Sequence, residues 1–174
     1  MFFSLATFTI VHVLISLVAI ASGFVVLGAM LNGRHWNGWT ALFLVTTVLT
    51  SVTGFLFPIH GLTPGLVVGV LSMIVLCFAL YGLYVKHLAG SWRAAYVVNS
   101  VVALYFNFFV LIAQSFQKVS FLKALAPTQL EPPFAIAQVV ALVAFIVVGT
   151  LAVKKFRNAA PESVTEPQVV AAIS

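Results

Sequence analysis

Polar residues in this chain are few and gathered into short clusters. Between the clusters run five apolar stretches, at 5–31, 39–57, 66–87, 94–116 and 134–153. Within them the only charged residue is Lys86, at the end of the third. Each stretch is close to or beyond the roughly 20 apolar residues that carry a helix across a bilayer. Three of the intervals hold breaker chemistry: Asn32-Gly33-Arg34-His35-Trp36-Asn37-Gly38, Pro58-Ile59-His60-Gly61-Leu62-Thr63-Pro64-Gly65, and Ala89-Gly90-Ser91-Trp92-Arg93. Connections this short make consecutive helices antiparallel neighbours. The pattern predicts an all-α, up-and-down membrane bundle of five transmembrane helices, with residues 1–157 forming one transmembrane domain.

The fourth interval is longer. Its Val119, Leu122, Leu125 and Ala126 fall at helical spacing, opposite Lys118 and Lys123. This predicts a short helix at 118–126 lying in the membrane interface and stopped by Pro127. Glu131-Pro132-Pro133 then opens the last helix, where proline is tolerated and an acid suits the dipole. The polar segment 158–174, with Pro161, Glu162, Glu166 and Pro167, is expected to be a disordered cytoplasmic tail. Ala19-Ile20-Ala21 looks like a signal-peptidase motif. However, Met1 to Val11 holds no Lys or Arg, and the apolar run continues ten residues past the motif, so the first helix is expected to be retained.

Charge sets the orientation. With five spans, Arg34, Lys86, Arg93, Lys154, Lys155 and Arg157 share one side, and Lys118 and Lys123 the other. The excess of basic residues predicts a cytoplasmic C-terminus and an external N-terminus. Trp36, Trp39 and Trp92 fall on the cytoplasmic side, where an aromatic belt is expected.

Composition confirms lipid as the solvent. Hydrophobic residues make up 63% of the chain and charged residues 6%, against about 25% charged in a soluble domain. Mean hydropathy is +1.19. The net charge of +5 comes from basic residues spread over short loops and a juxtamembrane cluster, which speaks against a nucleic-acid surface. The lone Cys77 excludes an internal disulfide and is expected to be a small buried hydrophobe.

All three acids, Glu131, Glu162 and Glu166, lie outside the spans, so no carboxylate relay or carboxylate-bridged metal is supported in the membrane. No nucleotide loop, zinc spacing or nucleophile elbow is present, and nothing points to an enzyme or a bound metal. The polar residues inside the spans are uncharged and concentrated toward the outer half. His12 and Ser16 are one turn apart on the first helix. Asn99, Ala103, Asn107, Val110, Gln114 and Gln117 form a stripe on the fourth, and Gln138 lies one turn into the fifth. Thr50 and Thr53 precede His60. Polar groups in hydrocarbon need partners, so these are expected to face one another. They form either interhelical hydrogen bonds or the lining of a small cavity, with His12, Ser16, His60, Asn107, Gln114 and Gln138 as the candidate ligand contacts. His12 is expected to point into the bundle, with Asn107 and Gln114 as its first partners. Gly61, Gly65 and Gly69 form a ladder for close packing within the bundle or against a second copy.

His12 and His60 approach the outer face, and His35 and His87 the inner face. This layering resembles di-haem cytochromes of the b561 type and implies haem b on His12 and His60 as an alternative function, that of a membrane electron carrier. Thr53-Gly54-Phe55-Leu56-Phe57-Pro58 and Ala126-Pro127-Thr128-Gln129-Leu130-Glu131-Pro132-Pro133-Phe134 resemble small bacterial multi-helix membrane proteins of unknown function, which implies no activity. The leading expectation is a non-enzymatic protein of the bacterial inner membrane. It would bind a small lipophilic ligand in its outer half or serve as an accessory subunit, with the lipid bilayer, another membrane protein or a second copy as partners.

Overall fold

The computed structural model describes residues 5–57 and 64–158. They fold into helices α1 (Leu5–Leu31), α2 (Asn37–Phe55), α3 (Pro64–Leu80), α4 (Trp92–Lys118), α5 (Ser120–Leu125) and α6 (Pro132–Asn158), with no strand among them. Five of these helices are long and apolar enough to cross a membrane. His60, Gly61 and the tail beyond Asn158 lie outside the described residues.

Turn chemistry sets the helix ends. Gly33 at φ 67° is the left-handed residue that closes α1, and the Arg34 N–H returns to the Ala29 carbonyl at 2.9 Å. The third helix ends differently from its hydropathy. It stops being α at Leu80 and widens into a π turn over Tyr81–Val85, where the Lys86 N–H reaches back to Tyr81 and the Leu88 N–H to Gly82. His87 and Leu88 then take positive φ. Gly82 lies against the start of α4, where an added side chain would touch the Trp92 carbonyl at an ordinary 3.4 Å. In contrast, α4 and α6 run past their apolar stretches, α6 through Lys154, Lys155 and Arg157. A helix needs no apolar residues to continue, and cations suit its last turn.

The helices α1, α2, α3 and α4 pack in sequence, and α4 returns to touch α1, which makes a ring of four. Helix α6 docks outside the ring against α1 and α4. Phe24, Phe108, Tyr105 and Phe145 interlock there, with ring centroids 5.6–6.1 Å apart. Leu14, Val45, Ile74, Val140 and Ile146 point outward and are exposed, as lipid-facing residues would be. Cys77 is among the exposed residues, which corrects the expectation of burial: its position on α3 faces away from the ring.

The two ends of the ring differ. At the end holding the α1–α2 and α3–α4 turns, Arg93 lies 5.0 Å above the Phe156 ring, and His35 packs edge-on to Tyr96 and Phe156. This gathers the basic turns and the basic end of α6 together. At the other end, the α5–α6 turn folds back on α4: Gln129 donates from Nε2 to the Ala113 carbonyl at 2.7 Å and receives Gln117 Nε2 at 3.3 Å.

Candidate functional site

Near the end of the ring that carries the start of α1, the four helices separate around a cavity of about 500 Å³. Its cause is visible in the facing residues. Helix α1 presents Thr9, His12 and Ser16 to the space. Helix α2 presents Thr50, Ser51 and Gly54, helix α3 presents Gly65, Gly69 and Ser72, and helix α4 presents Asn107, Gln114 and Ser115. Small residues face small residues, so the helix backbones leave a gap that no side chain among the described residues fills. Leu17, Val68, Phe106, Val110 and Leu111 supply apolar wall between the polar groups. From Thr9 to Ile20 on α1 the lining extends roughly 16 Å along the helix axis.

The floor is closed by packing. Asn107 donates from Nδ2 to Thr47 Oγ1 at 3.3 Å across the ring. One turn below Ile20, a side chain on Gly23 would come within 2.5 Å of Leu104 and 2.9 Å of Phe43. No space remains at that level.

His12 stands near the mouth. Its Nδ1 is 2.7 Å from Thr53 Oγ1, its ring packs edge-on to Phe57 at 5.2 Å, and its Cε1 lies over Gly54. It therefore points into the bundle toward a polar residue of a neighbouring helix. The partner is Thr53 on α2, not Asn107 or Gln114, because α1 and α2 lie in close contact whereas the cavity separates His12 from α4. Ser16 spends its hydroxyl proton on the His12 carbonyl at 2.8 Å. Thr50 and Ser72 carry buried hydroxyls that meet no hydrogen-bond partner among the described residues.

Of the residues singled out from sequence, His12, Ser16, Asn107, Gln114, Gly65 and Gly69 border this one cavity. Gln138 does not. It lies between α6 and α4 and donates from Nε2 to the Phe109 carbonyl at 3.3 Å. The polar stripe on α4 is likewise divided: Asn99 turns back to its own Ala95 carbonyl, and Gln117 joins the α5–α6 turn. The glycine ladder splits too. Gly69 receives the Phe55 ring, at 2.9 Å from where a side chain would begin, while Gly65 opens on the cavity. Ser51, Ser72 and Thr9 escaped the sequence reading because single hydroxyls in an apolar helix carry no periodic signal. His35 lies at the opposite end, against Tyr96 and Phe156.

No protein-family model, curated protein or solved structure matches this chain.

Proposed function

We propose that this chain is a multi-pass protein of the bacterial cytoplasmic membrane that holds a small lipophilic ligand in the outer half of its bundle, as a non-enzymatic binding protein or accessory subunit. The observation that carries the proposal is the cavity between α1, α2, α3 and α4. Its volume, about 500 Å³, falls within the roughly 300–1,000 Å³ of small-molecule sites. Its lining, mostly apolar with a few convergent polar groups, is also of that kind. The exposed apolar belt supports membrane insertion, and the basic turns gathered at the far end support an external N-terminus and a cytoplasmic C-terminus. On that orientation the cavity lies in the external half.

The test compares small molecules extracted from the wild-type protein and from Ser72→Leu, purified side by side. Leucine at this position replaces a buried hydroxyl of the lining and takes up part of the cavity. An apolar molecule identified by mass spectrometry should accompany the wild type and fall by about tenfold or more in the variant, with thermal unfolding in detergent preserved. Identical extracts from two folded proteins would remove the ligand reading. A visible spectrum of the same preparation decides the haem alternative, since bound haem b shows a Soret band. Orientation is checked by a reporter fused after Ser174, which should be active only as a cytoplasmic reporter.

A further inference from the structure

We infer that the ligand of this cavity is an apolar molecule headed by a hydroxyl, an oxygen that both donates and accepts hydrogen bonds. The inference rests on the cavity being a ligand site, and the hydrogen-bond polarity of His12 decides the head group. Thr53 Oγ1 carries one proton, and backbone carbonyls take it: Leu49 at 2.6 Å, with Thr50 at 3.2 Å. Toward His12, then, the Thr53 oxygen can only accept. With the Thr53 proton committed to Leu49, the 2.7 Å contact assigns its hydrogen to His12 Nδ1, which donates to Thr53. Among the described residues no carboxylate borders the cavity to favour a second proton on the ring. The neutral imidazole therefore keeps a bare lone pair on Nε2, and no described residue donates to it. A bare acceptor on a residue bordering an apolar cavity calls for a ligand that donates.

One turn deeper the chemistry is reversed. Ser72, only 3% exposed, and Thr50 each bring a hydroxyl whose oxygen is buried and has no partner among the described residues. Ser72 lies one turn beyond Gly69 and Thr50 one turn before Thr53, so both stand at a similar depth below His12. These hydroxyls can donate to a ligand oxygen. A single hydroxyl oxygen placed between the two levels gives its proton to Nε2 and accepts from Ser72 or Thr50. An ether or a ketone leaves Nε2 unmet. A carboxylate would turn an acceptor toward an acceptor, although Lys118 at the mouth offers it a cation.

The test uses the full chain in detergent and three probes: dodecanol, its methyl ether and dodecanoate, with affinities from titration calorimetry. Dodecanol should bind about tenfold more tightly than the ether, the equivalent of one hydrogen bond. Thr53→Val frees the imidazole tautomer and should bring alcohol and ether toward parity, with ether binding retained as the sign of an intact fold. Ser72→Ala combined with Thr50→Val should weaken alcohol and ether alike, because both accept from one of those two hydroxyls. The ratio in the unaltered chain is decisive even where a variant fails to fold. Equal or tighter binding of the ether, or dodecanoate as the tightest probe, would overturn the hydroxyl head while leaving the cavity a ligand site. Binding of none of the three, together with unchanged extracts from Ser72→Leu, would remove the ligand site itself.

Discussion

The two halves of the four-helix ring are built from the same helices and similar residues, yet one is closed and the other open. In the closed half, small residues meet large ones. Gly23 admits Leu104 and Phe43, at distances that leave no space for a side chain. Phe43, Leu76, Tyr96 and Leu104 are buried almost completely in this half. In the open half, Ser16, Gly54, Gly65 and Ser72 line the space between the helices. Small residues in lipid are usually read as close-packing devices. Here their effect depends on what faces them: glycine opposite phenylalanine makes a tight contact, and glycine opposite serine makes a cavity.

Substitution by alanine at one glycine in each half breaks the comparison most directly. Gly23→Ala places a methyl 2.5 Å from Leu104 and 2.9 Å from Phe43, and both neighbours are 1% exposed, with no room to move. Overpacking of this kind costs about 1–3 kcal/mol, so the unfolding temperature in detergent should fall clearly. Gly54→Ala is the counterpart. Among the described residues its methyl would meet only His12 Cε1, at an ordinary 3.7 Å. Relief of glycine's helical penalty, about 0.5–1 kcal/mol, should leave this variant unchanged or slightly more stable. Equal losses in both variants would mean that the halves are packed alike.

The seam between the halves is the next place to probe. Asn107 bridges from α4 to Thr47 on α2 at the cavity floor. Interhelical hydrogen bonds in membranes contribute about 0.6 kcal/mol on average and up to about 1.7. Asn107→Leu should therefore lower stability by about that amount, less than Gly23→Ala. A loss as large as that of Gly23→Ala would show that the floor is held by polar contact, not by the packing beneath it.

Much of this architecture was legible in the order of residues. Five helices follow from apolar length, and their neighbour order follows from the short turns. The depth of His12, Ser16 and Gln114 follows from counting along antiparallel helices. The azimuth of each side chain does not follow. Gln138 and Asn107 look alike in sequence, yet α6 lies outside the ring, so Gln138 turns to Phe109 while Asn107 turns to the axis. Hydropathy also cannot see where a helix changes pitch. The π turn at Tyr81–Val85 lies where Gly82 packs beside Trp92, and no local pattern of apolar residues marks it. The same limit hid the His12–Thr53 pair. Thr53 was visible as polar, but only the close approach of α1 and α2 makes it the nearest polar partner.

If packing holds the closed half, the open half relies on its rim, and the smallest expected effect tests this. The α5–α6 turn is clasped to α4 by Gln129 and shaped by Glu131, whose carboxylate accepts from the Thr128 hydroxyl at 2.9 Å, the Thr128 N–H at 3.2 Å and the Leu130 N–H at 3.1 Å. Desolvation pushes this carboxyl up. Hydrogen bonds from its own backbone, the Thr128 hydroxyl and N–H, and the Leu130 N–H outweigh that and hold it below the ordinary carboxylate range. A carboxyl depressed in the folded state adds stability that is fully present above the ordinary range and is lost as pH falls through its lowered value. Acidification should therefore loosen this turn. Amide hydrogen exchange in the α5–α6 turn should accelerate from neutral to acid pH, relative to its intrinsic rate, while the Phe43–Leu104 level stays protected. Glu131→Gln, which carries no titrating group, should show a flat pH dependence at the turn. A turn equally protected at both pH values in the wild type would mean that Gln129 alone holds the rim.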